Sequence, residues 1–166
     1  DRKVESIRLE NGEIIESDAV ILSVGYKPNV ELAKQAGIYV DESGFIAVDE
    51  YMRTHVKDVF AVGDCAQKRD FVTRARVSTM LASTACAEAR IAGMNLFNLN
   101  VVKTFSGTIA IYSTAIGNTG FGTAGITEAR AKAEGIDSIT GTFEGIDRHP
   151  GNLPDAHKQL VKLIAA

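Results

Sequence analysis

Thr54-His55-Val56-Lys57-Asp58-Val59-Phe60-Ala61-Val62-Gly63-Asp64 is the stretch that decides how this chain is read. Val59 to Val62 is a run of apolar residues that leads directly into Gly63-Asp64. Such a run predicts a short strand buried on both faces, as in a parallel sheet. A glycine at its end lets the backbone turn sharply or lets another group come close. Asp64 then stands at the carboxyl end of a buried strand, where open α/β sheets bind ligands. An ionised carboxylate only accepts hydrogen bonds, which suits the hydroxyls of a sugar or polyol. The plainer alternative is a strand and a turn, with Asp64 as a solvated turn residue.

Working back from this stretch, Val4 to Glu16 reads as a hairpin. Asn11-Gly12 predicts a type I′ turn between Ile7/Leu9 and Ile14/Ile15. Asp18 to Val24 reads as a second buried strand, ending in Gly25-Tyr26-Lys27-Pro28-Asn29. A short helix follows, with Asn29 as its N-cap and Gly37 as its stop. Asp41 to Val48 predicts another hairpin, turning at Glu42-Ser43-Gly44. Arg53 to Lys57 is a polar loop, and His55 within it is a solvated residue.

Working forward, Gln67 to Arg76 carries four basic residues against one aspartate. It reads as an exposed loop, with a phosphate border as the alternative. A long helix is expected from Ser78 to about Phe97, capped by Ser78 or Thr79, with Leu81, Ala85, Ala92 and Leu96 as its apolar stripe. A domain boundary is placed near Asn98-Leu99-Asn100. Beyond it, Gly107 to Ile116 predicts a strand and Gly117-Asn118 a turn. Thr127 caps a helix that runs to Glu134, supported by a Glu128–Lys132 pair and stopped by Gly135. Ser138–Glu144 and His157–Ile164 read as strands flanking an Arg148–Pro154 loop. Gly120, Gly122 and Gly125 match a dinucleotide fingerprint in letters, but neither a long buried strand nor a distal acidic residue frames them.

Thr54 to Asp64 closely resembles the second flavin fingerprint of the FAD-dependent pyridine nucleotide-disulfide oxidoreductases. The resemblance implies that Gly63 and Asp64 belong to a flavin site, with Asp64 bonded to a ribityl hydroxyl of FAD. Asp18 to Asn29 is similar to the strand that leads that family's chain from the NAD domain back to the FAD domain. Met80-Leu81-Ala82-Ser83-Thr84-Ala85 resembles the opening of the helix whose N-terminus points at the flavin pyrimidine. The backbone N–H groups of Leu81 and Ala82 are the implied donors. A helix N-terminus stabilises an anion by about 0.3–2 kcal/mol, and a reduced flavin is anionic at that edge. Met80 and Cys86 stand where the family usually has Pro and Asn. Ala124-Gly125-Ile126-Thr127-Glu128 matches the start of the family's carboxyl-terminal interface domain.

The expected fold is therefore α/β (mixed), part of an FAD/NAD-binding domain followed by a partial α+β dimerisation domain. Residues 1–100 would hold the end of the NAD-binding domain and the second FAD segment, and 101–166 the dimerisation part. The matched segments correspond to the carboxyl-terminal half of a family member, so the chain reads as an inactive fragment of its parent. The implied parent is a homodimeric NAD(P)H oxidase, passing hydride from the nicotinamide through FAD to oxygen or a disulfide. A coenzyme A-disulfide reductase is the alternative within the family, and a non-catalytic interaction module the alternative outside it.

Composition narrows the field further. A net charge of −3 over 166 residues gives no reason to expect nucleic acid or an anionic membrane as partner. No apolar run is long enough to span a bilayer. Cys65 and Cys86 form neither a C-x-x-C motif nor a disulfide framework, so a reducing cytoplasm is expected and both are assigned structural roles. His149 and His157 lack the neighbours a metal would need. No residue here is expected to be catalytic or to bind metal.

Overall fold

The computed structural model describes residues 3–98 and 103–166. Residues 99 and 100, which belong to the expected domain boundary, lie outside that set. The described chain is mixed α and β. Its ladders are antiparallel pairs: β1 (Ser6–Arg8) with β2 (Ile14–Glu16), β3 (Lys68–Arg69) with β4 (Arg76–Val77), β5 (Ile111–Ile116) with β6 (Thr119–Ala124), and β7 (Ile139–Ile146) with β8 (Lys158–Ala165). The helices are α1 (Glu31–Gln35), α2 (Ala82–Met94) and α3 (Glu128–Ala133).

The first hairpin forms where the sequence places it, with Ile7 opposite Ile15. Its turn differs from expectation. Gly12 N–H returns to Leu9 C=O and Leu9 N–H to Glu13 C=O, with only Gly12 at positive φ. That is a three-residue connection with a left-handed glycine, not a type I′ turn, which needs two such residues. The Asp41 hairpin closes as expected. Asp41 Oδ1 accepts the Ser43 and Phe45 amides, and Gly44 takes φ +89°. Gly37 stops α1 in the left-handed region, while its N-cap is Val30 rather than Asn29.

Both predicted buried strands fail to join a sheet. Asp18–Val24 has no ladder partner among the described residues, and its apolar side chains face outward; Ile21 is 92% exposed. Val59–Val62 is extended, but only Phe60 bridges, antiparallel to Arg53. The apolar runs are real. A two-faced strand needs a strand on each edge and a layer on each face, and the described residues do not supply them. Among the described residues, parallel pairing survives only as the single bridges Ile46–Ala66 and Asp70–Thr108.

Two small cores lie around this segment. Val30, Ala33, Ile46, Ala61 and Ala66 form one, with Cys65 packed at its margin. Met52, Ile91 and Ala92 form the other, with Phe60, Val62 and Phe105 alongside. Thus Val59–Ala66 is held between α1 and α2 by burial, although it pairs with no sheet. Cys86, expected to pack, is exposed on α2.

Further on, β5 is shorter than the predicted Gly107–Ile116 strand. Thr108 is engaged instead with Asp70 and Phe71. The Gly120/Gly122/Gly125 letters fall in and just after the antiparallel β6, not at a strand-to-helix crossing. Thr127 caps α3 by accepting the Arg130 amide at 3.3 Å, and Gly135 at φ +67° ends it. The Glu128–Lys132 pair gives way to a contact between Glu128 and Lys162 of β8, which ties α3 to one face of the last hairpin. Arg130–Glu134 supplies the i,i+4 pair.

Candidate functional site

Gly63-Asp64-Cys65 forms one turn of 3-10 helix that leaves the extended Val59–Val62 segment. Gly63 has φ +79°, a conformation costly for any residue with a Cβ, so the glycine is required by the turn itself. Asp64 is exposed. It sits at the end of the apolar run, as expected, but on a tight turn rather than on the tip of a paired strand. Cys65 Sγ lies 3.5 Å from Val62 C=O, a packing contact that fits the structural role assigned to it.

α2 packs directly against this turn. The helix starts at Ala82, not Ser78, and its N-cap is Leu81, with no side chain bonded to the first amides. Thr79, one of the expected caps, is buried instead. The opening amides of a helix have no intrahelical acceptor. Here no side chain caps them, and the turn meets the helix at Ala85 and Glu88. The predicted stripe of Leu81, Ala85, Ala92 and Leu96 is displaced: the buried face of α2 is Thr84, Glu88, Ile91 and Ala92, and Leu96 is exposed.

The main surprise is on that buried face. Lys68 and Glu88 are both fully buried, and their charged ends lie 3.4 Å apart. Glu88 Oε2 accepts the Gly63 N–H at 2.7 Å. Lys68 Nζ donates to the Gly63 carbonyl at 2.5 Å and the Ala66 carbonyl at 3.0 Å. Burial pushes the Glu88 carboxyl above the usual carboxylate range, against the lowering influence of the Gly63 amide and Lys68. The Gln67–Arg76 connection is therefore not an exposed loop. It opens with a buried Gln67-Lys68 pair, forms the β3–β4 ladder, and buries Asp70. Nothing local marks Lys68 for burial, since it lies in a basic run that reads as solvated. A glutamate on a helix face otherwise made of small and apolar residues is the one available hint.

Asp64 and Ala82 are exposed and Leu81 is half-buried. A cleft of about 440 Å³ lies elsewhere, lined by Val48, Met52, Arg69, Arg74 and Phe105 among others. Among the described residues no cluster of His, Cys, Asp or Glu could hold a metal ion.

The Gly63–Cys65 turn thus packs against α2 within a mixed α/β chain. The sequence model of the pyridine nucleotide-disulphide oxidoreductases matches residues 1–89, and the chain belongs to that family. A Pyrococcus horikoshii NAD(P)H coenzyme A polysulfide/persulfide reductase is 34% identical over 154 residues, covering 91% of this chain and 34% of the relative. A Methanocaldococcus jannaschii NADH oxidase is 30% identical over 152 residues, covering 90% and 33%. Among solved structures, an FAD-dependent pyridine nucleotide-disulphide oxidoreductase from Desulfovibrio vulgaris superposes with a TM-score of 0.72 at 33% identity, covering 85% of this chain and 35% of that one. The chain spans about a third of the length of the curated relatives it matches.

Proposed function

We propose that this chain is the flavin-cradling and dimer-forming part of an FAD-dependent NAD(P)H oxidase. The observation that carries the reading is the exposed Asp64 carboxylate on a glycine turn that packs against α2, a helix whose first amides have no side-chain cap. The donor set fits the cofactor: Asp64 is an acceptor for ribityl hydroxyls, and the uncapped amides that open α2 are donors for an electron-rich ring edge. Bound FAD would supply the redox chemistry, taking hydride from a nicotinamide and delivering electrons to oxygen or a disulfide. Gly63 would allow the turn, Asp64 would hold the sugar chain, and the Leu81 and Ala82 amides would stabilise charge at the ring. Both free cysteines remain outside the chemistry; Cys65 packs beside the turn and Cys86 faces solvent.

Under this reading residues 1–100 supply the end of the NAD-binding domain and the second FAD segment, and 101–166 part of a homodimer interface. The chain by itself would be inactive. A reducing cytoplasm suits the two free thiols, and no helix among the described residues is long and apolar enough to cross a membrane. The relatives support a coenzyme A-linked disulfide or persulfide reductase as the second reading, since they carry the same segments.

The test is flavin retention in the full-length protein. Asp64→Ala removes a charge-assisted hydrogen bond of roughly 1.5–3 kcal/mol, so FAD affinity should fall about ten- to a hundredfold. Unchanged flavin content in a folded variant would remove Asp64 from the site.

A further inference from the structure

We propose that Lys68 and Glu88 are positioning residues for the flavin-binding turn, gripping the two peptide groups that flank Gly63 and so fixing where Asp64 stands. This rests on the reading of Asp64 as a flavin contact. The observation behind it is where the short bonds go. Glu88 Oε2 reaches the Gly63 N–H at 2.7 Å and Lys68 Nζ the Gly63 carbonyl at 2.5 Å, whereas the two charges lie 3.4 Å from one another. Glu88 Oε1 has no hydrogen-bond partner among the described residues. An ion pair kept only for stability would close on itself, because burying two charges is repaid only by good mutual geometry. Here the good geometry is directed at the turn.

The arrangement has two consequences. The Gly63 N–H belongs to the peptide entering the turn and its carbonyl to the peptide that carries the Asp64 nitrogen. Holding both fixes the orientation of the Asp64 backbone. Glu88 also belongs to α2, whose first residues are the other implied flavin contact. One carboxylate thus links the helix to the turn and sets the spacing between the polyol acceptor and the ring-edge donors. Gly63 at φ +79° makes such a grip useful, since a glycine turn has many alternative conformations to exclude.

The experiment uses full-length protein and measures the unfolding midpoint and the affinity of the apoprotein for FAD. The combined Lys68→Met and Glu88→Leu variant removes both charges while filling the space. Its midpoint should fall, because the Gly63 amide and the Gly63 and Ala66 carbonyls lose their partners, and the FAD affinity of the folded variant should fall at least about tenfold, the cost of a hydrogen-bonded contact that is no longer in place. Adding Asp64→Ala to this variant should cost much less than Asp64→Ala costs alone, because the carboxylate is already misplaced. Retained FAD affinity in the combined variant, with loss in Asp64→Ala, overturns the positioning role and leaves the flavin reading standing. No effect of Asp64→Ala overturns both. Should the combined variant fail to fold, Glu88→Gln is compared with Glu88→Met. The first keeps an acceptor for the Gly63 amide and should retain FAD better; equal affinities in the two would overturn the proposal.

Discussion

At the scale of single residues, several aspartates work as fixed acceptors for backbone amides, and this makes the chain sensitive to acid. Burial opposes ionisation of Asp41, yet the amides of Phe45 and Ser43 and the Gln67 side chain hold its carboxyl below the usual aspartate range. Asp49 is similar: burial works against it, and Arg53 with the Tyr51 amide outweighs that. A carboxylate whose pKa is lower in the folded state contributes stability above its unfolded pKa, lost as pH falls through the folded value. Glu88 has the opposite sign. Its raised pKa favours the folded state at low pH, and that contribution is lost as pH rises through the folded value. Asp41→Ala should therefore cost about 1–3 kcal/mol near neutral pH, by orphaning buried donors. Its denaturant midpoint should also vary less than the wild type's below about pH 4, where the Asp41 contribution is being titrated away. A second residue-level prediction concerns Gly107, at φ +104°. A Cβ there would meet the Arg69 carbonyl at 2.8 Å and the Phe71 backbone at 3.1 Å. Gly107→Ala should destabilise by at least about 1–3 kcal/mol, read from chemical unfolding, and should loosen the Thr108 bridge to Asp70.

Elements differ in how much of their structure is written locally. Thr127, Glu128 and Gly135 specify the start and end of α3 through a side-chain cap, a charge and a left-handed stop, all within a few residues. The sequence reading therefore places α3 almost to the residue. Thr127→Ala should cost about 0.5–2 kcal/mol, with faster amide exchange confined to the first turn of α3. The β1–β2 hairpin and the Asp41 turn are legible for the same reason, since their partners are adjacent in sequence; β5, β7 and β8 are legible as strands, their pairing not. Asp18–Val24 and Val59–Val62 are not. Their apolar runs predict burial, and burial depends on strands and layers far away. α2 lies between these cases. Its existence is plain from its alanines, but Ser78 and Thr79 are attractive caps that local sequence cannot refuse, and the burial of Thr79 moves the start to Ala82. The site divides the same way. Gly63, Asp64 and the α2 opening are legible because their types and order carry the resemblance. The Lys68–Glu88 grip is not, because each residue looks solvated until the fold brings them together.

On the whole molecule, the exposed apolar surface is patterned. In the β7–β8 register Phe143 faces Val161 and Gly141 faces Leu163, so Ile139, Phe143, Val161 and Leu163 share one face of the ladder. Leu163 is 71% exposed and Phe143 is 62% exposed. Lys162 points to the other face and meets Glu128 of α3. One face of an isolated two-stranded ladder, dense in large apolar groups, is a surface that excludes water only by meeting another surface. The outer edge of β8 is also unpaired among the described residues, which invites strand addition. The homodimer proposed above would bury this face, with two-fold symmetry as the default. Light scattering on the full-length protein at micromolar concentrations should therefore report a dimer. Leu163→Asp places a charge in the middle of the face without touching the Glu128–Lys162 contact, and should shift the population toward monomer while the flavin stays bound. A dimer that survives Leu163→Asp would move the interface to another face, and wild-type monomer at all concentrations would remove it from this hairpin altogether.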